Sequence, residues 1–238
     1  MKLIAISDLH LPALNEVTEH IDVISNFLKA ISTIRNQQFD ALLILGDIAY
    51  KNANKHSYQL CFNELKSISQ PIFCLSGNHD TWNEMYNILR TSIQNTKSCF
   101  EQTFNTTPFL FLDSSSGKIP AYCIEKFLQK HKNQAVFLCA HHPVVPTQAQ
   151  YMEQRYALHN RQEILNLLTS QSAPVTIISG HYHCFTESSY KNVRQIVVPS
   201  LLYQIPLIAK KFTIDNRFGF CEITISDNAE YQAQAVWL

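Results

Sequence analysis

Five short apolar runs, each nearly free of polar interruption, constrain this chain more than any other feature. They are LIAI (Leu3–Ile6), ALLIL (Ala41–Leu45), PIFCL (Pro71–Leu75), AVFLCA (Ala135–Ala140) and VTIIS (Val175–Ser179). A strand with one wet face alternates apolar and polar residues, whereas a continuous apolar run needs cover on both faces. Between the runs the period changes to three and four. Ile21, Ile24, Phe27, Leu28, Ile31 and Ile34 follow it, then Tyr58, Cys61, Phe62, Leu65 and Ile68. Later come Ile124, Phe127 and Leu128, then Ile164, Leu165, Leu167 and Leu168. Strands alternating with helices predict an α/β architecture with parallel pairings. From Val193 the pattern becomes RQIVVPS, KKFTI, GFCEITI and YQAQAVWL with short turns, which predicts antiparallel strands closing the domain. With no internal repeat and no linker-like stretch, residues 1–238 are expected to form one domain.

Polar residues gather where these runs end. The first is followed by Asp8 and His10, the second by Asp47, and the third by Asn78, His79 and Asp80. His141 and His142 follow the fourth, and His181 and His183 the fifth. Ligands of open α/β sheets bind beyond the carboxyl ends of the strands, so five exits are expected to aim these groups at one edge of the sheet. Imidazole and carboxylate without thiolate suit Mn, Fe, Zn or Co, and histidine argues against an all-oxygen Mg or Ca cage. Seven of these ten, Asp8, His10, Asp47, Asn78, His141, His181 and His183, are candidate ligands, too many for one ion that keeps an open position, and suit two ions sharing a carboxylate, a geometry that clamps a phosphoryl displacement. Asp47 is the natural bridge, and Gly46, Gly77 and Gly180 precede their motifs where the backbone must turn. His20, His56, His131 and His159 have no partner motif and read as surface histidines.

Composition narrows the partners. The chain carries 19 basic and 19 acidic residues, so charge gives no reason to expect a nucleic-acid footprint or a polybasic membrane surface. No stretch approaches the roughly 18 apolar residues of a spanning helix, and the N-terminus lacks signal-peptide character. The seven cysteines form no C-x-x-C pair, and reduced thiols in a cytoplasmic protein are the expectation.

Taken together, Asp8-x-His10, Gly46-Asp47, Gly77-Asn78-His79-Asp80, His141-His142-Pro143 and Gly180-His181-x-His183 resemble the motif set of the calcineurin-like metallophosphoesterases. That resemblance implies a four-layer α-β-β-α sandwich of two mixed β-sheets flanked by helices. It also implies two metal ions, one held by Asp8, His10, Asp47 and His183, the other by Asp47, Asn78, His141 and His181. A hydroxide would attack phosphorus, His79 would protonate the leaving alkoxide, and Asp80 would orient His79 or its loop. His142 is then a supporting or substrate-facing residue, Tyr182 turns toward the core, and Cys184 is no ligand.

FLFLDSSSGKIPAYCIEKFLQK and VVPSLLYQIPL look more narrowly like the small bacterial class III cyclic-nucleotide phosphodiesterases. This similarity implies a 3′,5′-cyclic nucleotide substrate, cAMP foremost, and places Pro199-Ser200 and Tyr203-Gln204 near the site. Tyr50 departs from the acidic residue many relatives carry after the glycine-aspartate pair. The alternatives are hydrolysis of another diester, such as a glycerophosphodiester, or of a monoester. A scaffold that has lost catalysis should also have lost ligands or His79, and here all are present.

Overall fold

The structure is a computed structural model and describes residues 1–18 and 20–238. In chain order the elements are β1 (Lys2–Ile6), α1 (Val23–Arg35), β2 (Ala41–Ile44), α2 (Lys55–Leu65), β3 (Ile72–Cys74) and α3 (Trp82–Leu89). There follow β4 (Phe100–Phe104), β5 (Thr107–Leu112), α4 (Ala121–Lys130), β6 (Val136–Ala140), α5 (Gln150–Arg155) and α6 (Arg161–Leu168). The chain then runs through β7 (Val175–Ser179), β8 (Thr186–Tyr190), β9 (Val193–Val197), β10 (Gly219–Ile225) and β11 (Tyr231–Trp237). One sheet has the order β11-β10-β1-β2-β3 and the other β4-β5-β6-β7-β9-β8, and each mixes parallel and antiparallel pairs.

The continuous apolar runs are explained by layers on both sides of each sheet. In β1, Ile4 and Ile6 pack under α1 with Phe27, Ile31 and Ile34, while Leu3 and Ala5 face the second sheet. β2 divides in the same way, Leu42 and Ile44 against Ala41 and Leu43. The inter-sheet layer is closed by stacked rings, Phe100 on Phe111 at 4.5 Å and Phe109 on Phe137 at 4.7 Å. Each such side chain, buried, contributes about 1.5–3 kcal/mol. Beyond the second sheet, Leu110, Leu138, Val175 and Ile177 meet Ile124 and Phe127 of α4 and Ile164 and Leu168 of α6. The result is the expected α-β-β-α sandwich. Helices start where side chains replace missing backbone partners: Asp22 Oδ1 accepts from the Ser25 amide at 3.0 Å ahead of α1, and Asn54 Oδ1 from Ser57 at 2.9 Å ahead of α2.

The C-terminal expectation needs correcting in two places. β9 runs parallel to β7, pairing Val175 with Val193, and is antiparallel only to β8. The KKFTI segment is not a strand: residues 210–213 are exposed, no strand among the described residues pairs with it, and the chain crosses there as a loop pinned by the Gln204–Asp215 bridge. β10 and β11 do form the expected antiparallel pair. All seven cysteines are free thiols. Among the described residues no helix is long and apolar enough to cross a membrane.

Candidate metal centre

The five exits converge, but from two sheets rather than one edge: β1, β2 and β3 of the first, β6 and β7 of the second. Asp8, His10, Asp47, His181 and His183 all adopt positive φ, between 47° and 69°. Non-glycine residues in that region cost about 1–2 kcal/mol each, so the strain marks where the chain is bent to converge its polar groups. Two glycines permit the approach of the loops. A Cβ on Gly77 would collide with Asp47 Oδ1, and one on Gly180 with Ser7 Oγ.

One half of the site is Asp8, His10 and His183, whose ligand atoms lie within 4.8 Å of one another. His10 Nδ1 donates to the Tyr50 carbonyl at 3.2 Å, which leaves the Nε2 lone pair facing inward. There it meets His183 Nε2 at 3.0 Å, so a proton or a cation must lie between the two nitrogens. Asp8 Oδ1 stands 3.3 Å from His183 Nε2, and Asp8 Oδ2 accepts from the His181 amide at 2.9 Å. Ser200 Oγ donates to the Asp8 carbonyl at 3.1 Å and steadies this loop.

The other half is Asp47, His141 and His181. His141 Nδ1 donates to the Leu45 carbonyl at 2.8 Å, and its Nε2 lies 3.2 Å from Asp47 Oδ2. His181 Nε2 donates to the Tyr156 carbonyl at 3.0 Å, so its Nδ1 carries the lone pair. Backbone carbonyls thus fix the tautomers, as they do for histidines that bind metals. Asp47 Oδ1 accepts from the His79 amide at 2.9 Å, and Asp47 is 3.9 Å from both His10 Nε2 and His79 Nε2 through Oδ2. Asp47 therefore touches both halves. Asn78 borders the site on its exposed side and lines cavities on both flanks.

Electrostatics follow from burial and from these neighbours. Burial lowers His10 to about 4, aided by the neighbouring His183, and lowers His181 to about 3 with help from His141. Burial likewise lowers His142. For His141 burial also opposes the charge, but the Asp47 carboxylate prevails and holds the imidazole up to about 9. Burial would raise Asp8 and Asp47, yet facing histidines hold both carboxyls below their ordinary value.

Asp8 Oδ1, His141 Nε2 and His183 Nδ1 are buried without a hydrogen-bond partner, although charged groups of the site stand near the first two. Buried polar atoms are ordinarily satisfied. Two of these orphans point into the centre, and with the facing imidazoles and two carboxylates they form a donor set that fits divalent transition metals.

Of the two roles expected of Asp80, the structure shows contact with the loop and not with the His79 ring. The Asp80 carboxylate accepts from the amides of Ile48, Ala49 and Gly77 and from the Tyr58 hydroxyl, and so ties the Asp47 and Asn78 loops together. Burial and the Asp47 charge raise it to about 6 against the pull of those amides. His79 is instead held by Nδ1 donating to the Lys51 carbonyl at 2.8 Å. His142 bonds Ser114 Oγ through Nδ1 and lies against His181, ring centres 4.1 Å apart and planes tilted by 41°. Gln204 is turned away from the cavity, its amide donating to the carbonyls of Ser200 and Arg217, which corrects the expectation of substrate contact. Tyr203 does line the cavity, 5.0 Å from the His183 ring. Tyr182 is fully buried, and Cys184 is buried outside the ligand groups.

A cavity of about 440 Å³ opens on the site, walled by Tyr50, Tyr151, Tyr156, Tyr203 and Phe212 together with His79. The sequence singles out Tyr50, Tyr203 and His79 but not the rest of this wall. Aromatics on loops carry no spacing rule, and the anchoring carbonyls of Leu45, Lys51 and Tyr156 leave no trace in side-chain identity.

A four-layer sandwich with this ligand set at its strand exits defines a metal-dependent phosphoesterase. The family model described as calcineurin-like phosphoesterase matches residues 1–185, and the chain belongs to that family. It is 27% identical over 209 residues to a protein of Fibrobacter succinogenes named "Probable cyclic nucleotide phosphodiesterase", covering 86% of this chain and 81% of that one. It is 23% identical over 247 residues to the 3′,5′-cyclic adenosine monophosphate phosphodiesterase CpdA of Haemophilus influenzae, covering 98% and 89%. A dimetal phosphatase from Danio rerio shares the fold at a TM-score of 0.70 and 12% identity, with 98% of each chain covered.

Proposed function

We propose that residues 1–238 act as one catalytic domain that hydrolyses 3′,5′-cyclic nucleotides, cAMP foremost, at a two-metal centre. The observation that carries this reading is the joining of the ligand cluster to the aromatic cavity. Its volume of about 440 Å³ falls in the range of about 300–1,000 Å³ typical of small-molecule sites, and its rings suit a stacked base. The names of the relatives point to the same substrate class.

Asp8, His10, Asp47 and His183 would hold one ion, and Asp47, Asn78, His141 and His181 the other. Bound divalent ions supply Lewis acidity, lowering the pKa of water and offsetting charge on phosphoryl oxygens. The chain's own residues do the rest. His79, held through Nδ1 by Lys51, turns Nε2 toward the centre and delivers a proton to the leaving 3′-oxygen. Asp80 fixes the backbone of the two loops that carry Asp47, Asn78 and His79. Tyr203 and Phe212, with ring centres 5.9 Å apart, form one side of the slot for the base, and the apolar wall sheds water from it.

The test is a turnover panel with Mn²⁺ containing cAMP, cGMP, 2′,3′-cAMP, an aryl diester and an aryl monoester. Cyclic AMP is expected to have the highest kcat/KM. If the monoester equals it, the cyclic-nucleotide assignment falls and the phosphoesterase assignment stands.

A further inference from the structure

A second cavity of about 250 Å³ flanks the centre on the side away from most of the aromatic wall. It shares Asn78, Tyr156 and His181 with the first cavity, so the two meet at the candidate ligands. Their chemistry differs. Away from the candidate ligands the first is walled mainly by aromatic and aliphatic groups, and it sets a cation, Lys51, beside a carboxylate, Asp47. The second is lined by Arg155, Ser115, Ser116, His142 and His159, and no Asp or Glu is among its described lining residues.

Arg155 is exposed at the end of α5 and forms no ion pair among the described residues. Its guanidinium lies over the Tyr151 ring, 4.4 Å from the centroid, with Nη1 3.5 Å from the Tyr151 carbonyl. Stacking on a ring leaves the edge of the guanidinium available, and that edge matches phosphate or carboxylate oxygens. The opposite wall is shaped by the 115–117 turn. Gly117 at φ +76° brings its backbone against the His159 ring, and the His159 amide donates to the Gly117 carbonyl at 2.9 Å. A pocket with a cation, hydroxyls and imidazoles and without a carboxylate selects anions.

We infer that this second cavity is a subsite for an anionic substituent on the alcohol side of the scissile phosphorus. Linear phosphodiesters whose leaving alcohol bears a further phosphoryl or carboxylate group would then be substrates beside cyclic nucleotides. The inference rests on the phosphodiesterase reading. In the reaction, water oxygen bonds to phosphorus, the bond from phosphorus to the alcohol oxygen breaks, and that oxygen gains a proton. The anion held near Arg155 departs with the alcohol.

The experiment compares two esters of adenosine 5′-monophosphate, one with ethylene glycol and one with ethylene glycol monophosphate, by release of AMP with Mn²⁺ present. The wild-type chain is expected to favour the charged ester about tenfold in kcat/KM, the scale of one charge-assisted contact. In Arg155→Gln the ratio should fall to about one, with Arg155→Lys between. Equal ratios in wild type and Arg155→Gln overturn the subsite, as does cleavage of cyclic AMP with neither linear ester cleaved. A charged-ester preference that Arg155→Gln abolishes, seen without turnover of cyclic AMP, supports the subsite and removes the cyclic-nucleotide reading instead. Thermal melting of the variants reports any loss of folding separately.

Discussion

The two halves of the candidate centre use the same residue types and treat protons in opposite ways. In the Asp8, His10 and His183 half, two imidazole Nε2 atoms face each other at 3.0 Å, and burial keeps His10 neutral down to about pH 4. In the other half the Asp47 carboxylate sits 3.2 Å from His141 Nε2 and keeps that ring protonated up to about pH 9. At neutral pH His10 carries no extra proton in one half, whereas in the other His141 carries one where the cation would go. Ligand identity therefore does not by itself set the readiness of a site; the nearest opposite charge does.

The largest effect should come from the residue that touches both halves. Asp47→Ala is expected to lose both ions and essentially all turnover. Removing groups that merely support ligands already costs 10–100-fold in affinity, and a shared ligand should cost more. Elemental analysis of the purified variant decides it: two ions retained per chain would remove Asp47 as the bridge. His79→Ala comes next and should separate chemistry from metal holding. Turnover is expected to fall about 10²–10⁴-fold, the scale of a lost general acid, with metal content near wild type. Equal loss of metal would show that His79 belongs to the ligand set, as its 3.9 Å approach to Asp47 permits.

The proton asymmetry gives the third effect. A histidine ligand must be neutral, so His10 imposes no proton cost above about pH 4, while His141 must give up its proton below about pH 9. The apparent affinity of the His141 half for Mn²⁺ should rise about tenfold per pH unit from 7 toward 9, a rise to which His10 adds nothing in the other half. Calorimetry in buffers of different ionisation enthalpy should report about one proton released per chain at pH 7. Two ions with the same pH slope would break the comparison.

How far the sequence reached depends on which physical signal each element carries. Strands covered on both faces announce themselves as apolar runs, and β1, β2, β3, β6 and β7 were each legible from them. The two edge strands of the second sheet are not: β4 reads FEQTF and β8 reads TESSY, with half-exposed residues and no apolar run. The helix α3 did carry a signal, Trp82, Met85, Tyr86 and Leu89 at helical spacing, which passed unread beside the motif before it. Spatial convergence was legible as Asp and His at strand exits, but the division of the exits between two sheets was not. A strand's sheet is fixed by partners far along the chain, as Lys2 with Thr224 shows. KKFTI misled because β-branched and aromatic residues favour strands only where a partner face exists.

The smallest effect tests what ties the halves together. His181 belongs to one half and His183 to the other, and Tyr182 stands between them on a backbone bent to positive φ at both histidines. Its ring is buried, and its hydroxyl takes a hydrogen bond from Arg161 Nη2 at 2.9 Å. Arg161 is itself held by Glu153 at 2.6 Å, and Glu153 Oε1 accepts from the Thr147 amide at 2.7 Å. The phenol thus anchors a strained loop to α5 and α6. Tyr182→Phe keeps the packing and removes one bond to a charged group, worth about 1.5–3 kcal/mol. Spread over two ligands, that should weaken each ion's affinity by a few fold, read by chelator competition, with His79-dependent chemistry in the fully loaded enzyme nearly unchanged. Weakening confined to one ion would mean that the two histidines are set independently. Equal weakening of both would make Tyr182 the common anchor of the two halves.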